Sequence, residues 1–169
     1  MAAARPTKTV MFLCTGNYYR SRFAEIVFNA MAAKMGLAWQ ATSAGLALER
    51  GSGNHGAIAK TTKMAVELKG IKDPVAIARM PLPVTEEMFQ SSAKVVALKH
   101  GEHLPLMTER WPAFADQVEY WHVDDDLNAL GLIERELNAF ITRLITGGTR
   151  PDGPLPPPEP EPEPVKKEL

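Results

Sequence analysis

The sequence predicts an α/β fold, a three-layer sandwich in which a four-stranded parallel sheet carries helices on both faces. Two observations predict it. Apolar runs too short to be helices alternate with segments of three- and four-residue periodicity. The first strand, the first helix and the second strand also follow one another through short connections, an order that favours a right-handed crossover and therefore a parallel sheet.

Thr9 to Leu13 is apolar and bounded by Gly16-Asn17, which suits a buried strand. From Arg20 to Met35 the residues Phe23, Ile26, Val27, Ala30 and Met31 recur at helical spacing, and Gly36 closes the pattern as a C-terminal cap. Ala38 to Ser43 reads as the second strand, ended by Ala44-Gly45. Leu46 to Asn54 is loop, followed by a helical pattern carried by Ile58, Thr62, Ala65, Val66 and Leu68 and ended by Gly70. Pro74 to Pro83 reads as irregular, and Thr85-Glu86-Glu87 as the capped first turn of another helix. Lys94 to Leu98 is the third strand, a polar helix follows from Glu102, and Trp111-Pro112 breaks it. Val118 to Val123 is the fourth strand, and from Leu127 the apolar positions 130, 133, 137, 140, 141, 144 and 145 mark a last amphipathic helix.

With 169 residues, 45% of them hydrophobic, the chain suffices for one core. That domain is expected over residues 1–148. Residues 149–169 are rich in Pro and Glu, offer little to bury, and are expected to be disordered or extended outside it. Such a tail can bind a partner domain, although a solvated tail without a specific role is the expected state. A net charge of −1 and the lack of a basic stripe speak against nucleic acid as a partner. No apolar stretch has the length of a membrane span and the opening residues lack a signal-peptide core, so neither a membrane nor export is expected and the default compartment is the cytoplasm.

The single cysteine, Cys14, cannot form an internal disulfide. It opens the stretch Cys14-Thr15-Gly16-Asn17-Tyr18-Tyr19-Arg20-Ser21 at the carboxyl end of the first strand, where a doubly wound sheet places its ligand. Backbone N–H groups of such a loop and the following helix N-terminus converge on an anion, and Gly16-Asn17 can adopt the positive φ that a tight curl needs. Arg20 adds a planar fork that grips two phosphate oxygens at once. The same positive field favours the thiolate, so the pattern describes a sulfur nucleophile inside a phosphate cradle. His100 and His103, three apart with no third ligand in view, read as surface histidines rather than a metal site. Trp39, Trp111 and Trp121 read as packing residues.

From Val10 to about Leu144 these residues resemble the low-molecular-weight protein tyrosine phosphatases, a family with a related branch of arsenate reductases. Val10 to Asn17 with Arg20-Ser21 is similar to the family signature, followed in register by Ala24-Glu25; Ser43-Ala44-Gly45 and Gly70-Ile71 are similar to its second strand end and second helix end. The resemblance implies a cysteine-dependent phosphatase that needs no metal or other cofactor and acts on a phosphorylated protein or a small phosphomonoester. Cys14 would be the nucleophile and Arg20 the phosphate ligand, with Thr15, Gly16, Asn17, Tyr18, Tyr19 and Ser21 lining the loop. Asn17, Ser21 and Ser43 would hold the loop open. The general acid is expected after the fourth strand, where Asp124, Asp125 and Asp126 stand in a row. Related members place it four residues after a Trp, which selects Asp125 over the runner-up Asp124.

The chain departs from the pattern in three places. Arg22 replaces a frequent proline, which a helix start should tolerate. Tyr19 stands where many members carry a second cysteine, which excludes protection of an oxidised Cys14 by that partner. Glu49-Arg50 occupies the place of an aromatic wall against phosphotyrosine, and Tyr18 reads equally as a replacement wall or as a residue packed on the protein. Two other readings remain open at this level: an arsenate reductase that uses an external thiol, and a module that binds phosphate or phosphotyrosine without turnover. The oligomeric state is not legible.

Overall fold

The computed structural model describes residues 7–149 of the chain. Thr149 apart, the expected tail lies outside the described residues. Four strands, β1 (Lys8–Cys14), β2 (Trp39–Gly45), β3 (Lys94–Ala97) and β4 (Val118–Tyr120), form one sheet in the order β2-β1-β3-β4. All three pairings are parallel. Six helices connect or flank them: α1 (Arg20–Met35), α2 (Lys60–Leu68), α3 (Pro74–Ala78), α4 (Glu86–Ser91), α5 (His100–Arg110) and α6 (Ala129–Thr146).

Because side chains alternate across a strand, the central β1 feeds both faces of the sheet. Val10 and Phe12 enter a core with α1 and α6, whereas Met11 and Leu13 enter a second core with α4 and α5; all four are fully buried. This is the expected three-layer sandwich. Phe12 packs against Phe28, Trp121 and Phe140 with ring centroids 5.9, 5.8 and 6.3 Å apart. Such tilted and edge contacts are worth about 0.5–1.5 kcal/mol each beyond area burial, and here they anchor the strand that presents Cys14.

Most expected elements are present, with informative differences. The stretch read as irregular contains α3, whose first helical residue is Pro74 and whose N-cap Asp73 accepts a hydrogen bond from the Ala76 N–H at 3.2 Å. Asp-Pro was therefore a helix start rather than a breaker. Helix α5 begins at His100, before Glu102, and α6 begins at Ala129, leaving Leu127 in the preceding loop with its side chain exposed. The fourth strand is shorter than its apolar run, but the chain stays extended beyond it, with the N–H groups of Trp121 and Val123 donating to Ala97 O and Leu98 O at 2.8 Å. Gly36 caps α1 at φ 66°. Among the described residues, no helix is long and apolar enough to cross a membrane.

Arg22, expected to be tolerated at a helix start, is fully buried in α1. Its Nη1 donates to Ala57 O at 2.8 Å and more loosely to Asn17 O at 3.5 Å, and its Nη2 donates to Ala76 O and Arg79 O at 2.6 Å. Burial, and then the neighbouring Arg79, lower its pKa to about 10, which still leaves it charged. One guanidinium thus ties the 57–79 segment to the loop that follows β1. Arg22→Ala removes a buried cation and strands these carbonyls, at an expected cost on the order of 3–5 kcal/mol. The thermal midpoint should fall by roughly 6–20 °C. A drop of under about 2 °C would show that water replaces the guanidinium without loss.

Candidate active site

The loop from Cys14 to Tyr19 connects β1 to α1 at the carboxyl end of the sheet, and it floors a cleft of about 790 Å³. Cys14 is 3% exposed, and its Sγ lies 2.9 Å from Ser21 Oγ. The Ser21 oxygen already accepts a hydrogen bond from Asn17 Nδ2 at 2.9 Å, which leaves its own O–H to point at the sulfur. Asn17 Nδ2 also donates to Ser43 Oγ at 2.9 Å, while Asn17 Oδ1 accepts from Leu82 N at 3.0 Å and from Arg79 Nη1 at 3.1 Å. The three residues expected to hold the loop are therefore gathered in one buried network. Arg79 and Glu25 complete it: Arg79 Nη2 donates to Ser43 Oγ at 2.9 Å and to Glu25 Oε1 at 3.2 Å, and Ser43 donates to Glu25 at 3.1 Å. Burial raises the Glu25 pKa against the pull of Arg79 and the Ser43 hydrogen bond.

Backbone geometry makes this possible. Asn17 adopts φ 49°, the one left-handed non-glycine among the described residues, whereas Gly16 keeps φ negative and its missing Cβ instead lets Asn54 approach. Asparagine tolerates that region and here gains four hydrogen bonds by entering it. Gly45, at the end of β2, abuts the loop from below. A Cβ there would lie 2.6 Å from Leu48 Cδ2, 2.9 Å from Thr15 O and 3.2 Å from Asn17 N. Leu48 can swing aside, but the loop backbone cannot without moving the cradle. Gly45→Ala is expected to cost about 1–3 kcal/mol and to weaken phosphate binding, readable by thermal melting and calorimetry with inorganic phosphate. Unchanged phosphate binding would show that the loop absorbs the methyl group.

Arg20 is 4% exposed and spans the cleft wall. Its Nη1 donates to Val123 O at 2.9 Å, its Nη2 reaches Glu102 Oε2 at 2.6 Å, and its Nε lies 3.7 Å from Asp125 Oδ1. The three aspartates are in different situations. Asp124 pairs with Lys99 Nζ at 2.5 Å. The Asp126 carboxylate accepts the Asn128 N–H at 2.9 Å ahead of α6, and its carbonyl accepts the Tyr19 hydroxyl at 2.9 Å. Asp125 lines the cleft, 63% exposed, across from the guanidinium. Tyr18 and Tyr19 also line the cleft; the Tyr18 hydroxyl donates to His55 O at 2.6 Å. Burial, and next Asp125 and Asp126, raise the Tyr19 pKa, so its hydroxyl stays neutral. Arg50 lines the rim, whereas Glu49 turns to Arg110 at 2.5 Å.

Three residues of this site, His103, Glu102 and Arg79, escaped the sequence reading. His103, expected on the surface, is fully buried beside the loop, and Glu102 lines the cleft in contact with Thr15, Arg20 and His103. The only signal was their place directly after the third strand, where helices of such sheets begin. Arg79 gave no signal, because it reaches the loop across 62 residues of chain.

The model of the family described as low molecular weight phosphotyrosine protein phosphatase matches residues 9–125, a span that includes Cys14, Arg20, Asp124 and Asp125. The chain belongs to that family. It is a cysteine-based phosphatase and a hydrolase by that membership. A curated relative, the protein-arginine-phosphatase of Bacillus subtilis, is 31% identical over 109 residues, covering 64% of this chain and 67% of its own. The solution structure of a low molecular weight protein tyrosine phosphatase from Bacillus subtilis matches at 25% identity and TM-score 0.67, over 82% of this chain and 97% of that one. YfkJ from the same organism shares the fold at TM-score 0.71 and 18% identity, over 88% and 100% of the two chains.

Proposed function

We propose that this phosphatase acts on protein phosphotyrosine through a phosphocysteine intermediate, with Cys14 as nucleophile, Arg20 as phosphate ligand and Asp125 as general acid. One observation carries the reading: Asp125 lies 3.7 Å from Arg20 across the cleft floored by Cys14, while Asp124 pairs with Lys99 and the Asp126 carboxylate, on the same cleft, is held by the Asn128 N–H. In the first step the Cys14 thiolate attacks phosphorus, the P–O bond to the leaving group breaks, and Asp125 in its acid form delivers a proton to the departing oxygen. In the second step the Asp125 carboxylate takes a proton from water, whose oxygen attacks the phosphocysteine and frees the thiolate and inorganic phosphate. Arg20, the loop amides and the N-terminus of α1 stabilise charge on the equatorial oxygens in both steps. Ser21 steadies the thiolate whenever it is released.

Tyr18 and Tyr19 supply aromatic rings at the cleft, and exposed Leu127 adds apolar surface there. These suit the ring of a phosphotyrosine.

A second reading is favoured by the charge of the same cleft. Glu102, Asp125 and Asp126 line it, and carboxylates attract a cationic leaving group such as the guanidinium of phosphoarginine, the substrate class named for the Bacillus subtilis relative. Steady-state kinetics on one peptide carrying phosphotyrosine or phosphoarginine at the same position separates the two. A kcat/KM at least about tenfold higher for phosphotyrosine, equivalent to 1.4 kcal/mol at the transition state, supports the first reading, and the opposite ratio overturns it.

A further inference from the structure

Among the described residues, Glu102 is the one carboxylate in direct hydrogen-bond contact with Arg20, at 2.6 Å. A single oxygen, Oε2, meets Arg20 Nη2, the Thr15 hydroxyl and, at 2.8 Å, His103 Nε2. The histidine is not a free partner. Its Nδ1 accepts the Lys99 N–H at 2.9 Å, so the ring proton resides on Nε2 and is donated to Glu102. His103 is fully buried, and burial lowers its pKa, so the ring is neutral. Burial alone would raise the Glu102 pKa, but the hydrogen bonds from His103, Thr15 and Arg20 outweigh it and hold the group well below the usual carboxylate range. The carboxylate is therefore charged and held from three sides.

Those three partners belong to different parts of the cradle. Arg20 opens α1, Thr15 directly follows the nucleophile, and His103 and Glu102 lie in the first turns of α5. With Val123 O on Nη1, the guanidinium is held at both ends, and its orientation is set before any phosphate arrives. A guanidinium fork binds two oxygens well only when its plane is correct, and a displacement of about 1 Å can cost roughly 10²-fold in rate.

We propose that Glu102, itself oriented by His103, is a positioning residue that aims Arg20 and Thr15 at the equatorial oxygens of the phosphoryl transition state. The inference rests on the phosphatase reading of the site. It places the effect on the transition state rather than on ground-state phosphate, because an unheld Arg20 still supplies its charge but no longer its geometry.

The test compares Glu102→Ala and Glu102→Gln with the wild type on p-nitrophenyl phosphate, with orthovanadate and inorganic phosphate as inhibitors. Vanadate adopts the trigonal-bipyramidal shape of the transition state and phosphate does not. Glu102→Ala is expected to lower kcat by about 10–100-fold and to weaken vanadate to a similar extent, while KM and the phosphate inhibition constant stay within about threefold. Glu102→Gln, which keeps an oxygen acceptor at the same reach, should recover at least about half of that loss on a logarithmic scale. Equal weakening of vanadate and phosphate in a folded Glu102→Ala protein, or an unchanged kcat, overturns the positioning role. If Glu102→Ala does not fold, Glu102→Gln decides alone: vanadate must weaken more than phosphate, and equal effects overturn the proposal. Wild-type protein without any turnover overturns the phosphatase reading and this role with it, whereas normal wild-type turnover beside an unaffected variant overturns only the role of Glu102.

Discussion

Cys14→Ser is expected to lower turnover of p-nitrophenyl phosphate by a factor on the order of 10⁶, the scale seen when a covalent enzyme loses its nucleophile. The substitution keeps the shape of the loop, since serine fits where the thiol contacts Ser21 Oγ at 2.9 Å. It removes the reactivity, because a hydroxyl without an adjacent base is a weak nucleophile. The network of Asn17, Ser43, Arg79 and Glu25 lies behind the loop and does not touch the sulfur, so phosphate affinity should survive. Calorimetry with inorganic phosphate should show binding within about threefold of the wild type, since the loop amides and Arg20 are unchanged. Residual activity within about tenfold of wild type would remove Cys14 from the mechanism.

The three adjacent aspartates give the second large effect. Asp125→Asn should reduce kcat by about 10²–10⁴, roughly 3–5 kcal/mol of barrier, and the loss should grow as the leaving group becomes more basic. Asp124→Asn removes an exposed pair with Lys99, an interaction worth about 0–1 kcal/mol, so its kcat should stay within about fivefold of wild type. Asp126→Asn keeps an oxygen for the Asn128 N–H and leaves untouched the carbonyl that receives Tyr19. Rates measured across aryl phosphates of graded leaving-group basicity decide the matter. Should Asp124→Asn show the steeper dependence while Asp125→Asn does not, the proton donor has been assigned to the wrong residue.

Local patterns made much of this molecule legible. Val10 to Leu13 read as a buried strand because four consecutive apolar residues must face apolar layers on both sides, and the structure buries all four. Gly36 read as a helix cap because a left-handed residue is cheapest as glycine. Asp73-Pro74 was misjudged for a related reason: proline interrupts most patterns, yet at the first turn of a helix it costs no hydrogen bond. Leu68 was counted toward the apolar face of α2, but it is 86% exposed at the end of that helix, where a periodic position has no layer to meet.

Residues that act through long-range contacts were beyond that kind of reading. Arg22 read as a tolerated change at a helix start, since nothing nearby in sequence shows that carbonyls of Ala57, Ala76 and Arg79 converge on it. Glu102 and His103 looked like the polar start of a helix, as a charged side chain in a first turn ordinarily faces water.

By itself the sequence determined the α/β alternation, the cysteine loop with its arginine, and the acidic turn after the fourth strand, because each is encoded in residues adjacent along the chain. Only the tertiary structure decided that Asp125 lies 3.7 Å from Arg20, that Arg79 and Glu25 hold the loop from behind, and that Glu102 meets Arg20. Those contacts join segments tens of residues apart, and the order of strands in the sheet, rather than any local propensity, brings them together.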